Sequence, residues 1–165
     1  MPPPKPGPRV SAKAVILRSG RLLAIECHDA AGPWYLLPGG GQDRMEPLEA
    51  ALRREVREEV SVEVIVHRPL FIRDYIGSNH EYAAEDGNFH QVEIMFLCDL
   101  ADPAAEPALG ATPDKTQQAA VWLPLDRLLD LRFYPRAMVA PLQALAPRIA
   151  AGARDLPAEY LGDVN

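Results

Sequence analysis

Cysteine is scarce in this chain. Only Cys27 and Cys98 occur, and no Cys-x-x-Cys is present. Both sit in apolar, strand-like runs, so they read as buried thiols of a reducing compartment rather than as a disulfide, metal or catalytic pair. No run of 18 apolar residues occurs, which rules out a membrane-spanning helix. Basic residues are in the minority: 17 Lys and Arg face 23 Asp and Glu, for a net charge of −6. That balance argues against nonspecific binding to DNA or RNA, which needs a basic field. A nucleotide substrate stays open, because a bound divalent ion can supply the missing positive charge. The first residues, Met1 to Arg9, are rich in proline and lack the apolar core of a signal peptide. They read as a flexible tail, and the protein as cytoplasmic.

What is present fits one domain over residues 10–165. The length of 165 residues and a hydrophobic share of 48% allow a core without staples. Val10 to Leu17 and Arg21 to Cys27 read as a hairpin turning at Ser19-Gly20. Trp34 to Leu37 is a short apolar strand that stops at Pro38-Gly39-Gly40-Gly41, expected to be a loop with a special backbone path. Glu46 to about Val60 is the clearest helix, with Pro47 in its first turn. Val62 to Ile76 reads as one or two strands, Gly77 to Asn88 as a polar loop, and His90 to Leu100 as a strong strand. Ala101 to Thr116 reads as an exposed loop, Ala119 to Leu123 as a last short strand, and Asp126 to Leu131 as a short helix. Pro135 to Ala151 carries Leu142, Leu145 and Ile149 at helical spacing.

The chemistry concentrates in the glycine run and the helix after it. At 100° per residue, Leu48, Leu52 and Val56 form an apolar stripe, and Glu55 and Glu59 fall within roughly 20° of Leu48. Glu58 flanks the stripe, while Arg53 and Arg57 point away. Acids on a core-facing meridian cost several kcal/mol if nothing compensates them. They also lie in the last turns, where the helix dipole disfavours negative charge. Three carboxylates at i, i+3 and i+4 suit a hard divalent ion such as Mg2+, with Mn2+ as an alternative. The bland reading is a solvated acidic face with an Arg54–Glu58 pair. The stripe position and the glycine run weigh against it.

From Gly40, five residues precede Glu46, and seven more precede Arg54-Glu55-Val56-Arg57-Glu58-Glu59-Val60-Ser61-Val62. This resembles the Nudix box, Gly-x5-Glu-x7-Arg-Glu-U-x-Glu-Glu-x-Gly-U, with U apolar. Eight of its nine specified positions match, a coincidence of roughly one in a million for average residue usage. Ser61 departs from the family glycine. The resemblance implies an α/β fold, an α/β/α sandwich with a mixed β-sheet. It also implies Mg2+-dependent hydrolysis of a phosphoanhydride in a nucleoside diphosphate linked to another moiety: a nucleotide sugar, a dinucleotide or a noncanonical triphosphate. It assigns Glu55, Glu58, Glu59 and the Gly40 carbonyl to metal, and places Arg54, Glu58 and Glu59 in the catalytic set. Glu46 becomes a residue that orients Arg54. Ligand and base are not separated among the acids.

Outside the box the signals are weaker. Trp34 and Tyr35 can stack on a base or fill core, and His80 and Glu81 can reach substrate or sit in a solvated loop. Glu93 faces site or solvent. Where many relatives carry a late glutamate this chain has Gln117 and Gln118, so its help is missing or comes from Glu93 or Glu81. The partner expected is a small nucleotide, without membrane or stable nucleic-acid binding, and a homodimer is left open. The rival reading is a noncatalytic nucleotide-sensing module, which losses among the box acids would favour; none is lost. An acidic interaction domain without a site leaves the core-facing carboxylates unexplained.

Overall fold

A computed structural model describes residues 7–111 and 113–165. The first six residues of the expected tail lie outside it. Arg9 does not belong to that tail, because it already opens the first strand. The strands are β1 (Arg9–Arg18), β2 (Arg21–Asp29), β3 (Gly32–Leu36), β4 (Gly39–Gly41), β5 (Val64–Ile76), β6 (His90–Leu100), β7 (Gln117–Pro124), β8 (Phe133–Tyr134) and β9 (Glu159–Asp163). The helices are α1 (Leu48–Val60), the one-turn α2 (Ala83–Asp86) and α3 (Val139–Ala150).

The strands run in the order β8-β3-β2-β1-β6-β5-β9, with β4 added to β1 and β7 to β2. Pairing is mixed: β1–β6, β3–β8 and β5–β9 are parallel and the rest antiparallel. β1 is the pivot. Its first half lies between β4 and β6, and its last residues pair with β2. Alternation along β1 divides the core. Ala12, Ala14 and Ile16 face Leu52, Val56 and Val60 of α1. Val15 faces the other way, toward Leu142 and Ile149 of α3. The small side chains of β1 let α1 approach closely. Each fully buried Leu or Val in that contact contributes about 1.5–3 kcal/mol.

Several expectations are revised. The glycine run is not a loop: Gly39–Gly41 forms a strand against Lys13, Ala12 and Ser11. Gly39 has φ +125, and a Cβ there would collide with the Ala12 carbonyl, so only glycine brings this strand so near β1. Residues 62–76 yield one strand, bulged around Pro69, where the ladder has to do without an N–H. The polar loop after it contains a 3-10 turn, Gly77–Asn79, as well as α2. The strand expected to be last grows to Gln117–Pro124, and β8 and β9 follow it. β9 is a short edge strand of mixed polarity that shows no alternation a sequence reading could use. Asp126 to Leu131 forms a 3-10 helix over Leu125–Asp130, and the last helix starts at Val139 after another such turn.

The end of α1 needs partners for its last carbonyls. Gly110 N donates to Glu59 O at 2.9 Å and Ala108 N to Val60 O at 3.1 Å, so the loop after β6 caps the helix. Ser61 ends the helix in the left-handed region, at φ 58 and ψ 29, with its N–H on Arg57 O. Serine thus takes a left-handed conformation that glycine adopts without a steric penalty. Ser61→Gly should change stability by no more than about 1 kcal/mol in either direction, because relief of strain is offset by a freer unfolded chain. Urea unfolding of both proteins measures this, and a loss above about 2 kcal/mol would show that the serine side chain itself holds the turn.

Candidate active site

The Glu59 carboxylate is the centre of the arrangement. It leaves the inner face of α1 and meets β4, where Gly39 N donates to Oε2 at 2.6 Å. Gln117, at the start of β7, donates Nε2 to Oε1 at 2.9 Å. Burial pushes the Glu59 carboxyl above its ordinary value, while the nearby Lys13 charge and these two hydrogen bonds oppose the shift. Lys13 also donates its Nζ to the Gly39 carbonyl. Neither Lys13 nor Gln117 was expected at the site. The sequence signal for Lys13 was a charge within an apolar strand. For Gln117 it was a glutamine standing where relatives carry the glutamate.

Glu55 lies one turn back, against Gly40. A Cβ on Gly40 would strike the Glu55 carboxylate, so the glycine leaves the space this acid occupies. Arg54 gathers the rest: Nη1 donates to Glu55 Oε1 at 2.8 Å and reaches Glu58 Oε2 at 3.5 Å, while Nη2 donates to Gly41 O at 3.1 Å. Glu46 grips the same guanidinium from both sides, with Nε at 2.9 Å and Nη2 at 2.8 Å. Asp43 N caps the Glu46 carboxylate at 3.0 Å. This fork fixes Arg54, whose pKa is raised by Glu46 and then Glu55. The three box acids thus share one ridge. Glu59 is held by Gly39 and Gln117, Glu55 is drawn to Arg54, and Glu58 is about half exposed at 53%. Among the described residues no three acidic, histidine or cysteine side chains converge into a ready metal cage. The donors are nonetheless carboxylates and a glycine backbone, the hard oxygens a divalent ion prefers, and two cations stand among them: Arg54 on Glu55 and Lys13 on the Gly39 carbonyl.

A cavity of about 640 Å³ opens beside this ridge, with Lys13 and Leu37 at the end nearest Gly39. Two aromatic groups line it. Tyr134 meets Trp34 and Tyr82 edge-on, at 6.5 and 5.7 Å between ring centroids. Tyr75 lies 6.2 Å from Phe89. Of the weaker candidates, Trp34 and Glu93 line the cavity, and Tyr35, His80 and Glu81 do not. Tyr35 points to the opposite side of its strand and packs on the α3 side of the core. His80 stacks on Tyr75 at 5.2 Å and pairs with Asp163, so it braces the wall from behind. Glu81 is exposed and accepts from Asn165 at 3.2 Å. Glu93 is buried and lines the cavity rather than facing solvent. Cys27 and Cys98 are buried as expected, and burial pushes the Cys27 thiol up to about 11.

The family model described as the NUDIX domain matches residues 7–142. The chain belongs to the Nudix family. A MutT Nudix hydrolase from Burkholderia pseudomallei shares 32% identity over 73% of this chain and 86% of its own, with a TM-score of 0.58. An ADP-ribose pyrophosphatase from Streptococcus suis 89-1591 shares 21% over 93% of this chain and 99% of its own, with a TM-score of 0.62. A UDP-X diphosphatase shares 15% over 97% of this chain and 69% of its own, with a TM-score of 0.64. These last two show likeness of fold. No curated protein matches the chain significantly. The curled mixed sheet with helices on both faces is the Nudix fold, and the protein is a Nudix pyrophosphohydrolase. Among the described residues no helix is long and apolar enough to cross a membrane.

The Glu46–Arg54 fork has a pH signature. Arg54 holds the Glu46 carboxyl down at about 2, against an ordinary 4.5. A depressed carboxyl stabilises the fold above its unfolded pKa, and that contribution disappears as pH falls toward 2. Glu46→Gln should therefore flatten the acid limb of stability between about pH 4.5 and 2. Melting temperatures across that range test it, and parallel limbs for both proteins would dissociate Glu46 from the stability of this Nudix domain.

Proposed function

We propose that this Nudix protein hydrolyses a phosphoanhydride in a nucleoside diphosphate linked to another group, with Mg2+ as cofactor. The observation that carries the reading is the buried Glu59 carboxylate next to Lys13, at the edge of a cavity lined by aromatic side chains. Glu55, Glu58, Glu59 and the Gly40 carbonyl would hold the ion. When bound, it lowers the pKa of water and neutralises charge on the phosphates. Glu58 or Glu59 would accept a proton from water, and Gly39 N and Gln117 keep the Glu59 oxygens oriented. Arg54, fixed by Glu46, sets the position of Glu55. Lys13 presents an ammonium between the acid ridge and the cavity, where the phosphates of a substrate lying in that cavity would pass. The names of the Streptococcus and UDP-X relatives support a diphosphate joined to a sugar or another group as the substrate class. A single domain that begins with Arg9 of β1 is part of the proposal.

A panel of ADP-ribose, UDP-sugars, dinucleoside polyphosphates and noncanonical triphosphates, read by nucleotide or phosphate release, tests the reaction. Glu59→Gln should lower kcat at least about 100-fold with the fold intact by circular dichroism. Protein stripped of metal and kept in excess EDTA should be inactive until Mg2+ returns. Turnover near wild type in the variant would remove Glu59 from the site, and undiminished turnover in EDTA would remove the metal.

A further inference from the structure

Two buried charged side chains, Arg73 and Glu93, line the floor of the cavity, with Gln91 and Asn165 beside them. Arg73 of β5 stands opposite Glu93 of β6, which in turn stands beside Ser11 of β1. All three are buried, Arg73 at 7% and Glu93 at 4% exposure. The pair is only partly consummated. Arg73 Nη2 reaches Glu93 Oε2 at 3.4 Å, and Nε sits 3.4 Å from Oε1 without a hydrogen bond. Ser11 Oγ also lacks a partner. By contrast Glu93 Oε2 accepts a good bond from Gln91 at 2.9 Å, and Arg73 Nη1 is anchored on Val164 O at 2.7 Å and Asn165 Oδ1 at 3.2 Å. The Arg73 Nε donor is therefore left without a partner, 3.4 Å from Glu93 Oε1. Buried polar groups are rarely left so, unless a ligand completes them.

We propose that Arg73 and Glu93 read the heteroaromatic base of the substrate, whose hydrogen-bonding edge rests on this floor. The proposal deepens, and rests on, the reading of the protein as a nucleotide-derivative hydrolase. A base edge offers an N–H beside a ring nitrogen or carbonyl oxygen, which matches an acceptor beside a donor. The flanking Trp34, Tyr75 and Tyr134 provide aromatic surface for its faces. A second phosphate fits poorly, because it would have to lie against the Glu93 carboxylate. A sugar alone leaves the aromatic surface unused. Asn165 is a positioning residue: it holds the far end of the Arg73 guanidinium and acts on the base only through it.

Titration calorimetry on the purified protein tests this without turnover, using AMP, GMP, CMP and UMP against ribose 5-phosphate. The wild type should bind at least one nucleotide about tenfold or more tighter than ribose 5-phosphate. Arg73→Lys, which keeps the charge but loses Nε, should abolish most of that preference, and Glu93→Gln should change which base binds best. Asn165→Ala leaves the buried pair in place, and should weaken the preferred nucleotide severalfold while ribose 5-phosphate binding stays as it was. Should the two floor variants fail to fold, the Asn165 result decides alone. Equal binding of ribose 5-phosphate and all four nucleotides overturns the proposal, as does base discrimination that survives in Arg73→Lys and in Asn165→Ala. Base-selective binding by a protein that cleaves nothing in the substrate panel would instead overturn the hydrolase reading and leave the base floor standing.

Discussion

A carboxylate turned toward the core of a helix packing face is the constraint around which this molecule is arranged. Glu59 follows the same stripe as Leu52 and Val56, and uncompensated it would cost the fold several kcal/mol. The chain answers with three groups from three distant segments: the Gly39 N–H on β4, the Gln117 amide on β7 and the Lys13 charge on β1. Satisfying one acid thus pins the glycine strand, the start of β7 and the pivot strand of the sheet together. A site built from such obligations is already oriented before any substrate arrives, and orientation is what phosphoryl chemistry chiefly asks of a protein.

The box is local and the cavity is not, which explains what could be seen in the sequence. Glu46, Arg54, Glu55, Glu58 and Glu59 lie within 14 positions on one helix and its lead-in, so periodicity alone puts the acids on one face and the wheel finds them. The long strands were legible for a similar reason. β6 carries the unbroken apolar run Ile94 to Cys98 between more polar ends, and its bounds at His90 and Leu100 are those its pattern suggests. Trp34 was legible only as one of two aromatics, because choosing between Trp34 and Tyr35 requires knowing which face of β3 turns to the cavity.

What was not legible depends on pairing across long separations. Gly39–Gly41 looks like a loop because three glycines have no strand propensity. Its register with Lys13 is set by the β1 backbone and by the Glu59 oxygen that takes the Gly39 N–H. β9 has no pattern of its own and is held by side chains: Asp163 accepts from Ile76 N at 3.0 Å and from Asn79 at 2.7 Å. Arg73 reads as an ordinary strand residue, and Glu93 as an acid facing site or solvent, until β5 and β6 are laid side by side. A single sequence offers no signal for such a pair, because its meaning lies in register rather than composition.

The two parts of the site also meet different physical demands, and this accounts for how they are built. Cleaving an anhydride requires charge in fixed places, so the acids sit on a rigid helix whose last carbonyls are capped by Gly110 and Ala108 and whose end tolerates a strained serine. Holding one ligand rather than another requires adaptable walls on a stiff base. The walls come from short elements, α2 and β8, joined by the hydrogen bond between the Tyr82 and Tyr134 hydroxyls at 2.7 Å. The base comes from the central strands β1, β5 and β6, the most continuously paired part of the sheet. Lys13 belongs to both parts: it lines the cavity and touches the glycine strand that holds Glu59. Change in the wall segments can therefore alter what the cavity accepts without moving the acids. The acids cannot move without disturbing the packing of α1 on the sheet.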